Sequence, residues 1–157
     1  MKWIIIRKAT KEDYERFVNV HKSAWLFHQK EVERRYQSVD KYSIPLEDYI
    51  NLFDKYTILL AEIDWIIVWT ILFSINRELP NGLFKERNYM YISNFAVLPE
   101  YSSKWIWQAL MNKTESIAAE KKLREIQLDV REFNKRAEKF YEKRWFSVSS
   151  LNMIKHL

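Results

Sequence analysis

The chain has 157 residues and a mass of 19.3 kDa, 48% hydrophobic and 16% aromatic, which suits one domain with a sizeable core and leaves no room for a second. With no cysteine and three scattered histidines, a disulfide framework, a thiol nucleophile and a zinc site are excluded, so we expect no metal. The net charge of +5 arises from 26 basic residues interleaved with 21 acidic ones, a pattern of solvated helix faces rather than of a nucleic-acid surface.

Trp3 to Arg7 reads as an opening strand, entered without a cleavage region. Thr10 caps a helix from about Lys11 to Lys30, with Asp13 at the third helical position and Tyr14, Phe17, Val18, His21 and Trp25 at helical spacing. A charged connector, a candidate substrate loop, ends at Pro45. Leu46 to Tyr56 then forms a shorter helix that turns Tyr49, Leu52 and Phe53 to the core. Thr57 to Ile63 and Ile66 to Asn76 pair as a hairpin about Asp64-Trp65, and a strand from Tyr89 to Val97 is stopped by Leu98-Pro99. A helix from Lys104 to Leu123, a strand from Glu125 to Val130 and a helix from Asn134 to Lys143 follow, and Phe146 to Val148 and Leu151 to His156 read as closing strands. The order β-α-α-β-β-β-α-β-α-β-β predicts a single α/β (α+β) domain over residues 1–157, a mixed, mostly antiparallel sheet flanked by helices. No apolar run spans a bilayer. We expect a cytoplasmic protein, monomeric or homodimeric, with no nucleic acid and no membrane as partner.

Seven tryptophans stand against one glycine, Gly82, where average usage gives roughly eleven glycines. Asp64-Trp65 occupies a two-residue hairpin turn and Trp145 the end of a helix, both places where positive φ favours glycine. Ser102-Ser103-Lys104-Trp105-Ile106-Trp107, between a strand and a helix, would be a phosphate-cradling loop with glycine at its two tryptophans. We therefore read Trp65, Trp69, Trp105, Trp107 and Trp145 as replacements of ancestral glycines. Such replacements would arise by engineering or because the codon UGA, which means tryptophan in some genetic codes and glycine in others, was read by the wrong one; genuine tryptophans in an aromatic-rich chain are the plainer alternative.

From Ile92 to Leu110 the chain resembles the GNAT superfamily of acetyl-CoA-dependent N-acetyltransferases: a strand, Val97-Leu98-Pro99, a loop of the glycine-rich G-x-G kind, then a helix. A second block, Asn134 to Phe146, is similar to the family's N-x-x-A-x-x-x-Y-x-x-x-G-F, with Trp145 on the glycine. The resemblance implies a mixed sheet of the GNAT kind and acetyl transfer from acetyl-CoA to a primary amine, by direct attack in a ternary complex. It implies that backbone amides of Ser102, Ser103, Lys104, Trp105, Ile106 and Trp107 hold the pyrophosphate at the helix N-terminus, and that main-chain groups of Phe95 and Val97 pair with the pantetheine arm. Asn134 would bind that arm by its amide, and Tyr141 would supply the proton for the departing thiolate. A buried tyrosine bonded to a backbone group is the plainer alternative for Tyr141.

The general base stays open at this level. Tyr91, Ser93 and Asn94 are the polar residues of the strand before the loop, none is a carboxylate, and a water relay is the preferred reading. His21, His28, Glu31 and Glu33 are read as helix-face residues rather than acceptor ligands. The acceptor itself, a small amine or a protein, is undetermined by the sequence. A second function class also remains open: a non-catalytic GNAT-like binding or scaffold domain whose CoA site is blocked by Trp105 and Trp107.

Overall fold

A computed structural model describes residues 3–31, 43–102 and 104–155. Five strands form one sheet in spatial order β1-β2-β3-β4-β5: β1 (Ile5–Lys8), β2 (Thr57–Ile63), β3 (Ile66–Glu78), β4 (Arg87–Val97) and β5 (Glu125–Leu128). Neighbours are antiparallel except β4 and β5, which run parallel. A parallel pair needs a crossover, and α3 (Lys104–Glu120) supplies it. The other helices are α1 (Tyr14–Glu31), entered through a 3₁₀ turn at Lys11–Asp13, α2 (Leu46–Lys55) and α4 (Lys135–Glu142).

Helices cover both faces of the sheet, so β2 and the first half of β3 are buried almost without interruption and read as apolar runs rather than as alternation. On one face α1 and α2 bring Phe17, Val20 and Tyr49 against Ile58, Leu60, Ile67, Leu72 and Ala96. On the other, α3 and α4 bring Ile106, Trp107, Leu110, Met111, Ala137 and Tyr141 against Leu59, Trp69, Ile71, Phe73, Met90 and Ile92.

The two closing strands expected over 146–148 and 151–156 are not formed. Residues 146–155 carry no strand, and Val148, Leu151, Met153 and Ile154 are exposed. Short alternation alone fixes no partner, and Ser149-Ser150 lacks the positive-φ residues that set a tight hairpin. The helix expected to reach Leu123 stops at Glu120, because Lys122 turns left-handed at φ 55°. The amides of Lys122 and Leu123 then cap the carbonyls of Ala119 and Ala118, each at 2.9 Å.

Both turns singled out in the sequence have the expected backbone. Asp64 and Trp65 stand at φ 51° and 66°, as a type I′ turn requires. Trp145 stands at φ 66° beyond α4, where its amide bonds the Glu142 carbonyl at 3.0 Å and the Phe146 amide bonds the Tyr141 carbonyl at 3.1 Å. That pair of bonds is a Schellman cap, and the Phe146 ring closes it by meeting Tyr141 at 5.4 Å between centroids.

An ion network that the sequence did not announce joins β1, the start of α1 and β2. Arg7 places two nitrogens on Asp13, both at 2.7 Å, and reaches Glu62 at 2.8 and 2.9 Å. Arg16 contacts both carboxylates from the second turn of the helical segment. Asp13 also accepts the Thr10 amide at 2.8 Å, which is the capping contact expected from the sequence. Burial alone would raise the Asp13 pKa, but the hydrogen bonds from Arg7 and Thr10 and the two guanidinium charges prevail and hold it at about 2. A depressed carboxylate contributes stability above its ordinary value of 3.8 and loses it as pH falls toward 2. Asp13→Ala is expected to cost on the order of 2 kcal/mol at pH 7, by leaving Glu62 to serve two partly exposed guanidinium groups and the Thr10 amide without its acceptor. Urea titrations between pH 5 and pH 2 are expected to show a shallower loss of stability in this variant than in the parent.

Candidate active site

The site begins where two strands part. β4 and β5 are paired from Tyr89↔Glu125 to Ile92↔Leu128 and no further. β4 runs on to Val97 against β3 alone, through an irregular step at Leu72/Phe73 that leaves Ser93 without a partner. From Ser93 onward the edge of β4 that faced β5 is therefore without a strand. Phe95 and Val97, both half-buried, lie on this stretch.

Pro99 ends β4, a single 3₁₀ turn at Pro99–Tyr101 follows, and α3 starts at Lys104 beside the gap. Buried Ile106 fixes the first turn to the core, so the unpaired amides of Lys104, Trp105, Ile106 and Trp107 collect at one end of the helix. Arg136 of α4 donates to the Ser102 carbonyl and adds positive charge there. Ser103 lies outside the described residues.

Across the gap stands α4. Asn134 caps it, its Oδ1 accepting from the Ala137 amide at 3.1 Å, so only the amide nitrogen of the side chain remains to serve a ligand. Tyr141 is buried at 7% exposure and packs edge-on against Trp107 at 5.7 Å between ring centroids. Burial pushes its pKa up, against a small opposing pull from the nearby Trp107 indole, so the hydroxyl keeps its proton.

The two loop tryptophans behave differently. Trp105 leaves 46% of its surface exposed on the first turn of α3, whereas Trp107 is at 8% and fills the gap itself. Its ring stacks on Phe140 at 4.0 Å and 16°, meets Tyr141 edge-on at 5.7 Å and lies 5.6 Å from Phe95. Trp69 completes the cluster from β3 at 5.7 Å, its indole nitrogen donating to the Tyr101 carbonyl at 2.9 Å. The Trp107 Nε1 is buried and has no partner at hydrogen-bonding geometry among the described residues, though it is close enough to Tyr141 to act on its hydroxyl. The first turn of α3 thus leaves its amides free beside the strandless edge of β4, and the Trp107 indole packs between Phe95 of β4 and Phe140 and Tyr141 of α4.

On the opposite face of the sheet lies a cavity of about 280 Å³ walled by Phe17, His21, Leu52 and Leu72, with Asp48 and Asn94 as polar wall groups. His21, expected on a helix face, is buried here, stacked on Phe17 at 4.0 Å and sharing a hydrogen bond of 2.9 Å with the Thr70 hydroxyl. Asn94 also reaches this cavity, while Ser93 makes a contact of 3.4 Å with the Leu72 carbonyl.

A carboxylate that the sequence reading missed comes from the neighbouring strand. Asp129, one residue past the last β4–β5 pair, accepts the Tyr91 hydroxyl at 2.7 Å, and that bond with partial burial raises the tyrosine to about 12. Alternation puts Tyr91 opposite to Met90 and Ile92, on the face of α1 and α2. The signal was present in the strand expected at Glu125 to Val130, but only its pairing with β4 shows which residue its end meets. Among the described residues no group of His, Cys, Asp or Glu is arranged to hold a metal, and no helix is long and apolar enough to cross a membrane.

The acetyltransferase (GNAT) family model matches residues 17–146. No protein of curated function matches the sequence. Among solved structures, the tetramutant of BH1408 protein from Bacillus halodurans is similar with a TM-score of 0.89 at 23% identity, over 98% of this chain and 99% of that one. PaiA N-acetyltransferase from Thermoplasma acidophilum, solved in complex with coenzyme A, follows this chain with a TM-score of 0.77 at 22% identity, over 96% of this chain and 93% of that one. Ribosomal-protein-alanine N-acetyltransferase from Brucella melitensis biovar Abortus 2308 does so with a TM-score of 0.68 at 16% identity, over 99% of this chain and 100% of that one.

Burial of His21 lowers its pKa to about 4, so the ring is neutral through the physiological range. A histidine depressed in the folded state contributes stability above its ordinary 6.5 and loses it as pH falls toward 4. Proton NMR is expected to show the His21 ring signals stationary between pH 8 and pH 5, and a midpoint near 6.5 would contradict the buried placement.

Proposed function

Since the chain belongs to the acetyltransferase (GNAT) family, we propose that it moves an acetyl group from acetyl-CoA to a primary amine held on the α1–α2 face of the sheet. The observation that carries this reading is the coincidence of three features at one gap: the strandless edge of β4 after Ile92, the N-terminus of α3, and the protonated Tyr141. The cosubstrate supplies the activated acetyl group. The chain's own residues then have separate tasks. Lys104 to Trp107 offer amides to the pyrophosphate, Phe95 and Val97 offer main-chain groups to the arm, and the Asn134 amide meets the arm from α4. Tyr141 holds the proton that a departing sulfur needs.

The amine must lose a proton as its nitrogen attacks. Asp129 is the carboxylate placed where β4 and β5 separate, and Tyr91 and water connect it to the acceptor face. It gives the proton relay an end point. The cavity with Asp48 and Asn94 in its apolar wall suits a small amine with an apolar stem, neutral His21 adding no opposing charge. The neighbours include an aminoglycoside N-acetyltransferase and a ribosomal-protein-alanine N-acetyltransferase, so family likeness by itself leaves the acceptor class open.

The test uses the Trp105→Gly/Trp107→Gly chain, a fixed concentration of acetyl-CoA and a panel of primary amines, read as thiol release. Amine-dependent release supports the reading, and release no faster with any amine than with none would overturn it. In that background Tyr141→Phe is expected to lower turnover by on the order of 10² to 10⁴ with little change in acetyl-CoA affinity. Asp129→Asn is expected to lower kcat/KM for the amine by on the order of 10² with little change in acetyl-CoA affinity, and an unchanged kcat/KM would remove Asp129 from the relay.

A further inference from the structure

We infer that the cofactor-competent form of this protein carries glycine at 107, and by the same exchange at 65 and 145, because the indole at 107 is the single group that closes the donor channel. The inference rests on the acetyl-CoA reading above and deepens it.

Three signs separate these tryptophans from residues that belong where they stand. Trp107 is buried, and among the described residues its N–H meets no acceptor at hydrogen-bonding geometry, lying near the Tyr141 hydroxyl without a well-formed bond, a state that costs stability because the desolvated donor is poorly compensated. Trp65 and Trp145 sit at φ 66° in the left-handed region, where a Cβ is strained. Their rings return little for that strain, being 86% and 94% exposed. Gly82 supplies the contrast: nothing lies within 4 Å of where a Cβ would go, and its φ is not positive. The chain thus has its one glycine where none is needed and tryptophan where the backbone asks for glycine. One codon with two meanings accounts for that inversion, whereas independent substitutions would have to strike the same class of position repeatedly.

The structure also narrows the set. Trp69 has ordinary strand φ, a satisfied indole nitrogen and 2% exposure, so nothing about it asks for glycine. Trp105, on the first turn of α3, is 46% exposed, whereas Trp107 is at 8% and packs on Phe95, Phe140 and Tyr141. The occlusion is therefore assigned to Trp107. Without that side chain a channel opens between Phe95 on β4 and Phe140 and Tyr141 on α4, leading from the α3 amides to the Tyr141 hydroxyl.

Calorimetric titration with acetyl-CoA is the test, made on the parent chain, Trp107→Gly and Trp65→Gly. Displacing a buried aromatic side chain is costly, so Trp107→Gly is expected to bind at least about 100-fold more tightly than the parent, with Trp65→Gly close to the parent. Equal, tight binding by parent and Trp107→Gly would overturn the occlusion while leaving acetyl-CoA as the cosubstrate. A folded Trp107→Gly chain that binds no acetyl-CoA would instead overturn the cosubstrate reading. Thermal melts of Trp65→Gly and Trp145→Gly are expected to rise, and a fall in both would count against glycine there. Should Trp107→Gly not fold, peptide mass spectrometry of the protein from its native source decides: glycine at 65, 107 and 145 supports the inference, and tryptophan at all three sinks it.

Discussion

The parting of β4 from β5 after Ile92 is the constraint on which the rest of the site depends. A parallel pair of only four residues is held by the α3 crossover behind it, and the irregular step at Leu72/Phe73 turns β4 away just where the pairing ends. Once the strands separate, backbone groups on β4 face a gap instead of a ladder and must be met by something. The same geometry delivers the N-terminus of α3 to one end of the gap and Tyr141 to its flank. The strandless edge of β4, the free end of α3 and the buried Tyr141, the three features on which the proposed acetyl transfer rests, are therefore consequences of one break in the sheet rather than three separate arrangements.

Much of this was legible where local chemistry decides. The Asp64-Trp65 turn, the Thr10–Asp13 contact and the stop at Leu98-Pro99 each follow from a few adjacent residues, and the structure has all three. The GNAT-like blocks likewise pointed to α3 and α4. What the sequence did not disclose depends on residues that are distant along the chain. Arg7, Asp13 and Glu62 meet only because β1 pairs with β2, and Asp129 reaches Tyr91 only because β5 runs parallel to β4. His21 looked like one more polar position on an amphipathic helix until Thr70 on β3 became its partner. The left-handed Lys122 gave no warning, since lysine carries no sequence signal for a helix stop.

The closing strands failed for a related reason. Phe146 to Met153 shows alternation, but alternation specifies a face and not a neighbour. Phe146 is instead drawn against Tyr141 by the cap of α4, and the residues after it lie exposed with nothing to pair against. A helix cap thus took the residue that the expected strand would have used as its first.

The aromatic cluster ties stability to access on one face only. Trp69, Phe95, Trp107, Phe140 and Tyr141 pack where a cofactor arm would lie, so the contacts that hold α4 to β4 are the ones that close the channel. Phe17, His21 and Leu72 wall the other cavity from the opposite side of the sheet, and none of them touches that cluster. On the proposed acetyl-transfer reading, donor and acceptor would lie on opposite faces of the sheet and meet only at the gap beyond Ile92. A change of side chain at 107 would then alter the donor side while the wall formed by Phe17, His21 and Leu72 keeps its shape. The gap joins the two faces, and for that reason the proposal places the control of access in the single ring that packs there.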